Sequence, residues 1–300
     1  MNPRGFPRRL ILGVSLFALT SVFAPAQRAV PVTPAVQELR DIGGKDPLRI
    51  LTMLPDSPTF ARIQTRTYDF KEAGRPMEYE LYVPSKYNRS RPTPLIVALH
   101  CLSAVAHDMI RYEHLTELAE QRGYIVVAPM GVNNHGWYGS RGPGRAPAGR
   151  GGDATNDDPE NLGELSELDV MNVLGLVRKE FNIDSNRIYL MGHSMGGGGT
   201  WYLGMKHPEL WAALGMAAPA IFTPPDDLVK LKNVPVIVVQ GDDDRAVKPD
   251  TTRLWVEKMK SLGMKYTYIE VPGGDHMTVI CRSPENMTKI FDFFDKARRR

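Results

Sequence analysis

From residue 94 onward, short apolar runs alternate with segments of helical periodicity, and this alternation constrains the fold more than any other feature. The runs PLIVAL at 94–99 and VPVIVVQ at 234–240 are continuously apolar, as expected for strands covered on both faces of a sheet. Helical spacing lies between such runs, for example at 107–121 and 251–262. The sequence therefore predicts an α/β fold with a mostly parallel central sheet and helices on both faces.

The segment upstream of this alternation has a different period. Residues 59–70 and 77–83 alternate apolar and polar side chains, with a turn at 73–76, which predicts an antiparallel hairpin. The other predicted strands are 124–129, 187–191, 211–217 and 266–271, and the other predicted helices are 165–181, 195–206 and 284–297. No internal repeat is visible and no linker divides the segment from residue 59 onward, so we predict one catalytic domain over 59–300, preceded by a lead-in segment at 27–58.

The first 26 residues have the three parts of an export signal. A basic stretch up to Arg9 precedes an apolar run at 10–24, and Ala24-Pro25-Ala26 supplies small residues for cleavage. The apolar run is short for a membrane span. We expect a secreted or periplasmic protein that begins at Gln27 and has no stable membrane insertion. A retained signal anchor is the alternative.

The charge of the remaining chain argues against a nucleic-acid partner. Three of the 37 basic residues, Arg4, Arg8 and Arg9, lie in the signal segment, which leaves 34 basic against 34 acidic residues. A balanced chain of this kind has no excess of cations to displace counterions from a phosphate backbone.

The motif that carries chemistry is Gly192-His193-Ser194-Met195-Gly196, a G-x-S-x-G pattern. It lies between a predicted strand and a predicted helix, which is the setting of a nucleophile elbow. Glycine is needed on both sides of the serine because the turn is tight. Ser194 would then lie at a helix N-terminus, where backbone N–H groups favour developing negative charge. A glycine-rich phosphate loop, or tight packing alone, is the alternative.

A nucleophilic serine needs a base and an acid, and on this fold the acid precedes the base in the chain. The segment that follows the predicted strand at 234–240 has the pattern G-x-x-D-x-x-V, which favours Asp244 as the acid, with Asp242 as the alternative. His276 follows the last predicted strand and is our candidate base, whereas His207 falls at a helix end and has a capping role.

Two backbone N–H groups should bind the oxyanion. One belongs to Met195, the residue after the nucleophile. The other should come from the loop that follows the strand at 94–99, where Leu102 is our choice and Cys101 is the alternative.

Further short motifs around the elbow are shared with a known group of enzymes. They are Asn134 through Trp137, Asp169, Asn182-Ile183-Asp184, Arg187-Ile188-Tyr189, the segment 192–197, Trp201, Pro208, Trp211 and Ala212-Ala213. With them the chain resembles secreted α/β-hydrolase esterases of the poly(3-hydroxybutyrate) depolymerase and feruloyl esterase-like family, and stand-alone hydrolases related to the prolyl oligopeptidase catalytic domain. The resemblance extends from about residue 59 to the C-terminus. It implies a serine triad that needs no cofactor.

The resemblance also gives the two cysteines a context. The family usually has His-Gly after the oxyanion strand, whereas this chain has His100-Cys101. On this fold the oxyanion loop and the loop of the catalytic histidine both border the active site. We therefore hypothesise a disulfide between Cys101 and Cys281, against the alternative of two free thiols.

The stretch from 131 to 163 has no periodic pattern and leaves the edge of the sheet where such folds bind ligands. Its Trp137 and Tyr138, together with His100, are our candidates for substrate contact. A solvated loop with one buried tryptophan is the alternative. Three arginines could bind a carboxylate: Arg141, Arg145 and Arg150. The acidic residues are better explained as a solvated turn than as a metal site: Asp153, Asp157, Asp158 and Glu160.

These residues together predict a secreted serine carboxylesterase that acts on small acyl or aromatic esters, of the feruloyl or acetyl type, free or on a polymer. A polyester depolymerase and a peptidase related to prolyl oligopeptidases are alternatives that share the triad. A non-catalytic binding protein is the remaining alternative, although no member of the triad is missing from the sequence.

Overall fold

The computed structural model describes Met1, residues 47–146, Thr155 and residues 157–299 of the chain. The predicted export signal and most of the lead-in segment lie outside the described residues, so these two assignments and the domain boundaries stay predictions. The described residues from 47 onward belong to one compact unit. None of their helices is both long and apolar enough to cross a membrane.

An eight-stranded mixed sheet forms the centre of the fold, as the alternating pattern predicts. Its order is β1-β2-β4-β3-β5-β6-β7-β8, antiparallel where β2 pairs with β1 and β4, and parallel elsewhere. The strands are β1 Ile63–Phe70, β2 Arg75–Tyr82, β3 Thr93–Leu99, β4 Ile125–Pro129, β5 Ile183–His193, β6 Ala213–Ala217, β7 Val236–Gly241 and β8 Tyr266–Val271.

In the described part of the chain, six α-helices cover the two faces of this sheet. They are α1 Ala106–Ile110, α2 Leu115–Arg122, α3 Leu162–Glu180, α4 Met195–Lys206, α5 Pro249–Ser261 and α6 Pro284–Asp295. Buried side chains of α1, α2 and α6 pack on one face, and those of α3, α4 and α5 pack on the other. Each face therefore has its own hydrophobic layer, which explains the continuously apolar central strands.

The single helix predicted at 107–121 is wrong, because the chain forms α1 and α2 with a turn between them. His114 adopts a left-handed conformation with φ of 69°, which an α-helix of L-residues does not continue through. Both short helices bury side chains in the same layer, for example Ile110 and Leu115. This shared layer preserves helical spacing across the break, which is why the pattern indicates one helix.

The register of the sheet brings the ends of the central strands to a common edge. Leu99 of β3 pairs with Gly192 of β5, and His193 pairs with Ala217 of β6. Gly241 of β7 pairs with Val271 of β8. Segments that follow β3, β5, β7 and β8 therefore meet at one edge, although they are far apart in the sequence.

The stability of the sheet face covered by α6 depends on stacked aromatic rings. Phe294 is fully buried and stacks on Tyr189 with ring centroids 4.6 Å apart. We expect Phe294→Ala to lower the free energy of unfolding by about 3–5 kcal/mol, because it leaves a cavity in the core. Urea unfolding followed by fluorescence measures this loss. Phe293→Ala, at a partly buried neighbour, is the matched control; an equal loss in the two variants would contradict the assignment.

Candidate active site

The turn that presents Ser194 is strained, and glycines make it possible. Ser194 has φ of 55° and ψ of −114°, between the end of β5 and the start of α4. A Cβ on Gly192 would lie 2.2 Å from the carbonyl oxygen of Gly196, and one on Gly196 would lie 2.2 Å from that of Leu99. Side chains at either position would clash with backbone, so the G-x-S-x-G spacing is a steric requirement of this turn.

Ser194 is hydrogen-bonded to His276, which is hydrogen-bonded to Asp244. The Ser194 hydroxyl lies 2.9 Å from His276 Nε2, and His276 Nδ1 lies 2.8 Å from Asp244 Oδ2. A carboxylate oxygen accepts, so Nδ1 carries the ring proton and Nε2 is free to accept the hydroxyl proton of Ser194. This is the arrangement of a nucleophile, a general base and a group that orients the base.

Four N–H groups surround the Asp244 carboxylate, whose side chain is fully buried. Besides His276, the backbone N–H groups of Ala246 and Val247 donate to Oδ1, at 2.9 and 2.8 Å. The Gln240 amide donates to Oδ2 at 3.0 Å, and its own oxygen accepts from Thr252. Gln240 was not identified from the sequence. Its position near the end of β7, shortly before Asp244, was the signal that pointed to a role beside the acid.

The neighbouring acidic residues have other partners. Asp242 accepts from the backbone N–H of Gly273 at 2.5 Å, and Asp243 lies 3.5 Å from the exposed Arg245. Among the three consecutive aspartates, the structure therefore brings Asp244 to the histidine. His207 follows α4 as its C-terminal cap, and its ring lies 3.4 Å from Glu167.

The proposed oxyanion donors belong to the residue after Ser194 and to a residue that lines the same cavity. The Met195 N–H is at the first turn of α4, and neither it nor the Leu102 N–H donates to an acceptor among the described residues. Cys101 and Leu102 both line the same cavity as Ser194, so the choice of Leu102 stays a prediction. The loop is held at its far side, where Ser103 N–H donates to the Asn134 carbonyl oxygen at 2.9 Å.

The predicted substrate contacts of His100 and Tyr138 are wrong, because both residues are 0% exposed and lie outside the cavity lining. The Tyr138 hydroxyl accepts from the backbone N–H of His100 at 3.1 Å. The His100 ring lies within 2.9 Å of the carbonyl oxygens of Cys101 and Met130. Its burial lowers its pKa. Both residues therefore contact the backbone at residues 100 and 101 from the protein interior.

Trp137 does line the cavity that contains Ser194 and His276, which has a volume of about 860 Å³. Its ring packs edge-on against Phe222 at 5.1 Å, and the Arg141 guanidinium lies over the Phe222 ring at 4.3 Å. Sequence reasoning missed Phe222, because no periodic pattern marks its segment. The volume is within the range of small-molecule sites.

Among the described residues that line the cavity, two carry a positively charged side chain. They are Arg245 and Lys248, which follow Asp244 in the chain. Of the three arginines expected to bind a carboxylate, Arg141 stacks on the cavity aromatics, Arg145 donates to the Asp158 carbonyl oxygen, and Arg150 lies outside the described residues.

The hypothesised disulfide is not formed, since Cys101 and Cys281 are both free and buried. The Cys281 thiol donates to the Met277 carbonyl oxygen at 2.9 Å, and the Cys101 sulfur lies 3.6 Å from the Tyr112 hydroxyl. Burial raises the pKa of the Cys101 thiol to about 11. Each thiol is thus satisfied as a small buried side chain.

The loop that carries Trp137 is anchored by Asp169 of α3. This buried carboxylate accepts from the Tyr68 hydroxyl and from the Gly131 N–H, both at 2.6 Å. Farther along the loop, Asp158 accepts from His135 at 2.8 Å. Within residues 47–146, 155 and 157–299, no group of three His, Cys, Asp or Glu side chains could hold a metal ion. Asp153 lies outside this part of the chain.

Comparisons with known proteins give the family of the chain and related structures. The Esterase family model, described as "Putative esterase", matches residues 71–278. A feruloyl esterase B from Neurospora crassa is 29% identical over 132 residues, or 44% of this chain and 40% of that protein. A poly(3-hydroxybutyrate) depolymerase from Ralstonia pickettii is 30% identical over 135 residues, or 41% of this chain and 25% of that protein. The chain thus matches less than half the length of these curated relatives.

A solved structure shows the same fold. A thermostable esterase superposes with a TM-score of 0.63 at 23% identity, covering 80% of this chain and 64% of that chain.

The burial of Asp169 predicts a pH-dependent stability. Burial raises its pKa to about 6, against about 3.9 for an unfolded chain. The folded protein holds this proton more tightly, so Asp169 lowers the free energy of unfolding as pH rises from about 4 to about 6, by an amount on the order of 2 kcal/mol. Asp169→Asn should lose this slope, because the amide does not titrate.

Urea unfolding of the wild type and the variant at several pH values between 4 and 7 measures the difference. Asp243→Asn, at an exposed carboxylate, is the control and should keep the wild-type slope. Parallel pH curves for the wild type and Asp169→Asn would contradict the prediction.

Proposed function

The chain belongs to the Esterase family of α/β-hydrolases, and from this premise we propose that it is an exported serine esterase of small acyl or aromatic esters. The observation that carries the proposal is the continuous hydrogen-bonded series from Ser194 through His276 to Asp244, open to a cavity of about 860 Å³. Export rests on the pattern of the first 26 residues alone.

In the first half of the reaction, Ser194 Oγ attacks the ester carbonyl carbon while His276 Nε2 takes its proton. The electron pair of the carbonyl double bond moves to the oxygen, which the N–H groups of Met195 and Leu102 then stabilise. When the tetrahedral intermediate collapses, the bond to the alcohol oxygen breaks. His276 gives its proton to that oxygen, so a neutral alcohol leaves and an acyl-Ser194 ester remains.

In the second half, water takes the place of the alcohol. His276 removes a proton from the water, whose oxygen attacks the acyl carbon and forms a second oxyanion at the same donors. Collapse breaks the bond to Ser194 Oγ, which recovers its proton from His276, and the carboxylic acid leaves. Asp244 stays ionised throughout and stabilises the imidazolium that forms in each half.

The aromatic wall of the cavity supports an acyl or alcohol group with a ring. Trp137 and Phe222 both line the cavity with their rings nearly perpendicular, and Phe222 remains 45% exposed, so part of its side chain is available to a substrate. Aromatic pairs gain stability from edge-to-face contact. The feruloyl esterase relative, whose name specifies an aromatic acyl group, supports the same substrate class.

Replacing the nucleophile tests the proposal. We expect Ser194→Ala to lower kcat for p-nitrophenyl acetate and butyrate by at least about 10³-fold, because the variant lacks the hydroxyl that is activated by His276. The assay follows p-nitrophenolate release, with the exposed Ser261→Ala as the matched control. A variant with wild-type activity would contradict the assignment of Ser194.

The same assay distinguishes the alternative substrates. Wild-type protein is tested beside Ser194→Ala on methyl ferulate, on a suspension of poly(3-hydroxybutyrate) and on a peptide p-nitroanilide. Turnover of the ferulate or the p-nitrophenyl esters supports the esterase. Turnover of the polymer or of the anilide alone would assign a depolymerase or a peptidase instead.

The aromatic wall predicts a selective change in KM. We expect Phe222→Ala to raise KM for methyl ferulate about fivefold, through the loss of a ring contact worth about 1 kcal/mol, and to leave KM for p-nitrophenyl acetate within about twofold. Leu254→Ala, which is 58% exposed outside the cavity lining, is the control. Equal changes in KM for both esters would contradict a role of Phe222 in binding the aromatic group.

A further inference from the structure

A second histidine, His193, lies beside the triad and is not used by the mechanism above. It is fully buried at the end of β5, directly before Ser194. Its Nε2 lies 2.9 Å from the backbone carbonyl oxygen of His276, and its Nδ1 lies 2.8 Å from the Tyr112 hydroxyl. The two histidine rings are 5.0 Å apart.

The partners of His193 determine where its proton lies. A carbonyl oxygen can only accept, so Nε2 carries the proton and donates it to the backbone of His276. Nδ1 must then accept, which makes the Tyr112 hydroxyl its donor. Tyr112 has one hydroxyl proton, and its bond to His193 uses it, although the Cys101 sulfur also lies 3.6 Å from the hydroxyl. The protons of Tyr112 and His193 therefore both point towards His276.

The surroundings keep His193 neutral. Burial lowers its pKa to about 3, with the neighbouring His276 acting in the same direction. Tyr112, at the other end, is also fully buried, and burial raises its pKa well above the usual value. Neither group changes its charge near neutral pH, so the direction of the hydrogen bonds is fixed.

Hydrogen bonds hold the loop of His276 on both sides of this residue. Before it, Gly274 N–H donates to the Val271 carbonyl oxygen. After it, the N–H groups of Met277 and Thr278 donate to the Asp275 carboxylate. Among the described residues, the side chain that donates to the carbonyl oxygen of His276 itself is His193, through Nε2. This bond joins the backbone of the base to the residue adjoining the nucleophile.

We propose that His193 is a positioning residue, which holds the His276 backbone at the distance from Ser194 that proton transfer requires, and that Tyr112 fixes the tautomer in which His193 can do so. This role rests on the proposed function, since it acts through the triad. It acts on kcat because displacing a catalytic group by about 1 Å can lower the rate about 100-fold.

Three variants test the proposal with p-nitrophenyl butyrate as the substrate. His193→Leu removes the donor at similar volume, and we expect kcat to fall at least about tenfold while KM stays within about twofold. His193→Gln retains a side-chain N–H, and kcat should recover to within about threefold of wild type. Tyr112→Phe removes the hydroxyl that donates to His193 Nδ1, so the tautomer of His193 is no longer fixed but an N–H donor can still form. The kcat of Tyr112→Phe should therefore fall less than that of His193→Leu.

Phe294→Ala separates this role from loss of stability, because it destabilises the core without touching the site. Its kcat per folded molecule, determined from the unfolding curve, should match wild type. The proposal is overturned if His193→Leu keeps the wild-type kcat. It is also overturned if kcat falls as far in His193→Gln as in His193→Leu, since a change in packing would then explain both losses without the N–H donor.

Labelling with a fluorophosphonate probe tests the proposed function separately from the role of His193. Wild-type protein should be labelled and Ser194→Ala should not, which establishes the serine nucleophile independently of His193. If His193→Leu is labelled at the same rate as wild type, the positioning role is overturned, while the assignment of a serine esterase is unaffected. Absence of labelling in wild type would instead remove the premise of both.

Discussion

The close approach of helix α4 to the strand ends is the constraint on which the rest of the site depends. A Cβ on Gly196 would meet the Leu99 carbonyl oxygen at 2.2 Å, and one on Gly198 would meet the Ala220 carbonyl oxygen at the same distance. The consecutive glycines let backbone pack directly on backbone. The helix N-terminus therefore lies between the oxyanion loop and the segment that leads to Phe222, and all of the cavity is arranged around it.

Electrostatics then decide which groups react. The carboxylate of Asp244 is buried, yet four N–H groups stabilise its charge, so it can support a positive charge on His276. Two other buried groups beside the site stay neutral near neutral pH, because burial lowers the pKa of His193 and raises that of the Cys101 thiol. Neither of them therefore adds a charge next to the triad.

Much of the fold could be predicted from the sequence because strands and helices leave local periods. The strand at 266–271 has the predicted bounds, and α4 likewise. The helix predicted at 107–121 was wrong because two short helices bury the same face, which periodicity cannot separate. The assignment of His100 and Tyr138 to the cavity was also wrong, since polar or aromatic character does not tell whether a loop residue points into a cavity or beneath it.

The sequence by itself determined the α/β alternation, the elbow and the chain order of Ser194, Asp244 and His276, because each depends on short motifs and on the strand that precedes them. Only the tertiary structure decided that the two thiols stay free, that Phe222 packs against Trp137 at the cavity wall, and that His193 reaches the backbone of the base. The two contacts join segments about 85 residues apart, and their geometry depends on sheet register and close packing rather than on any local pattern.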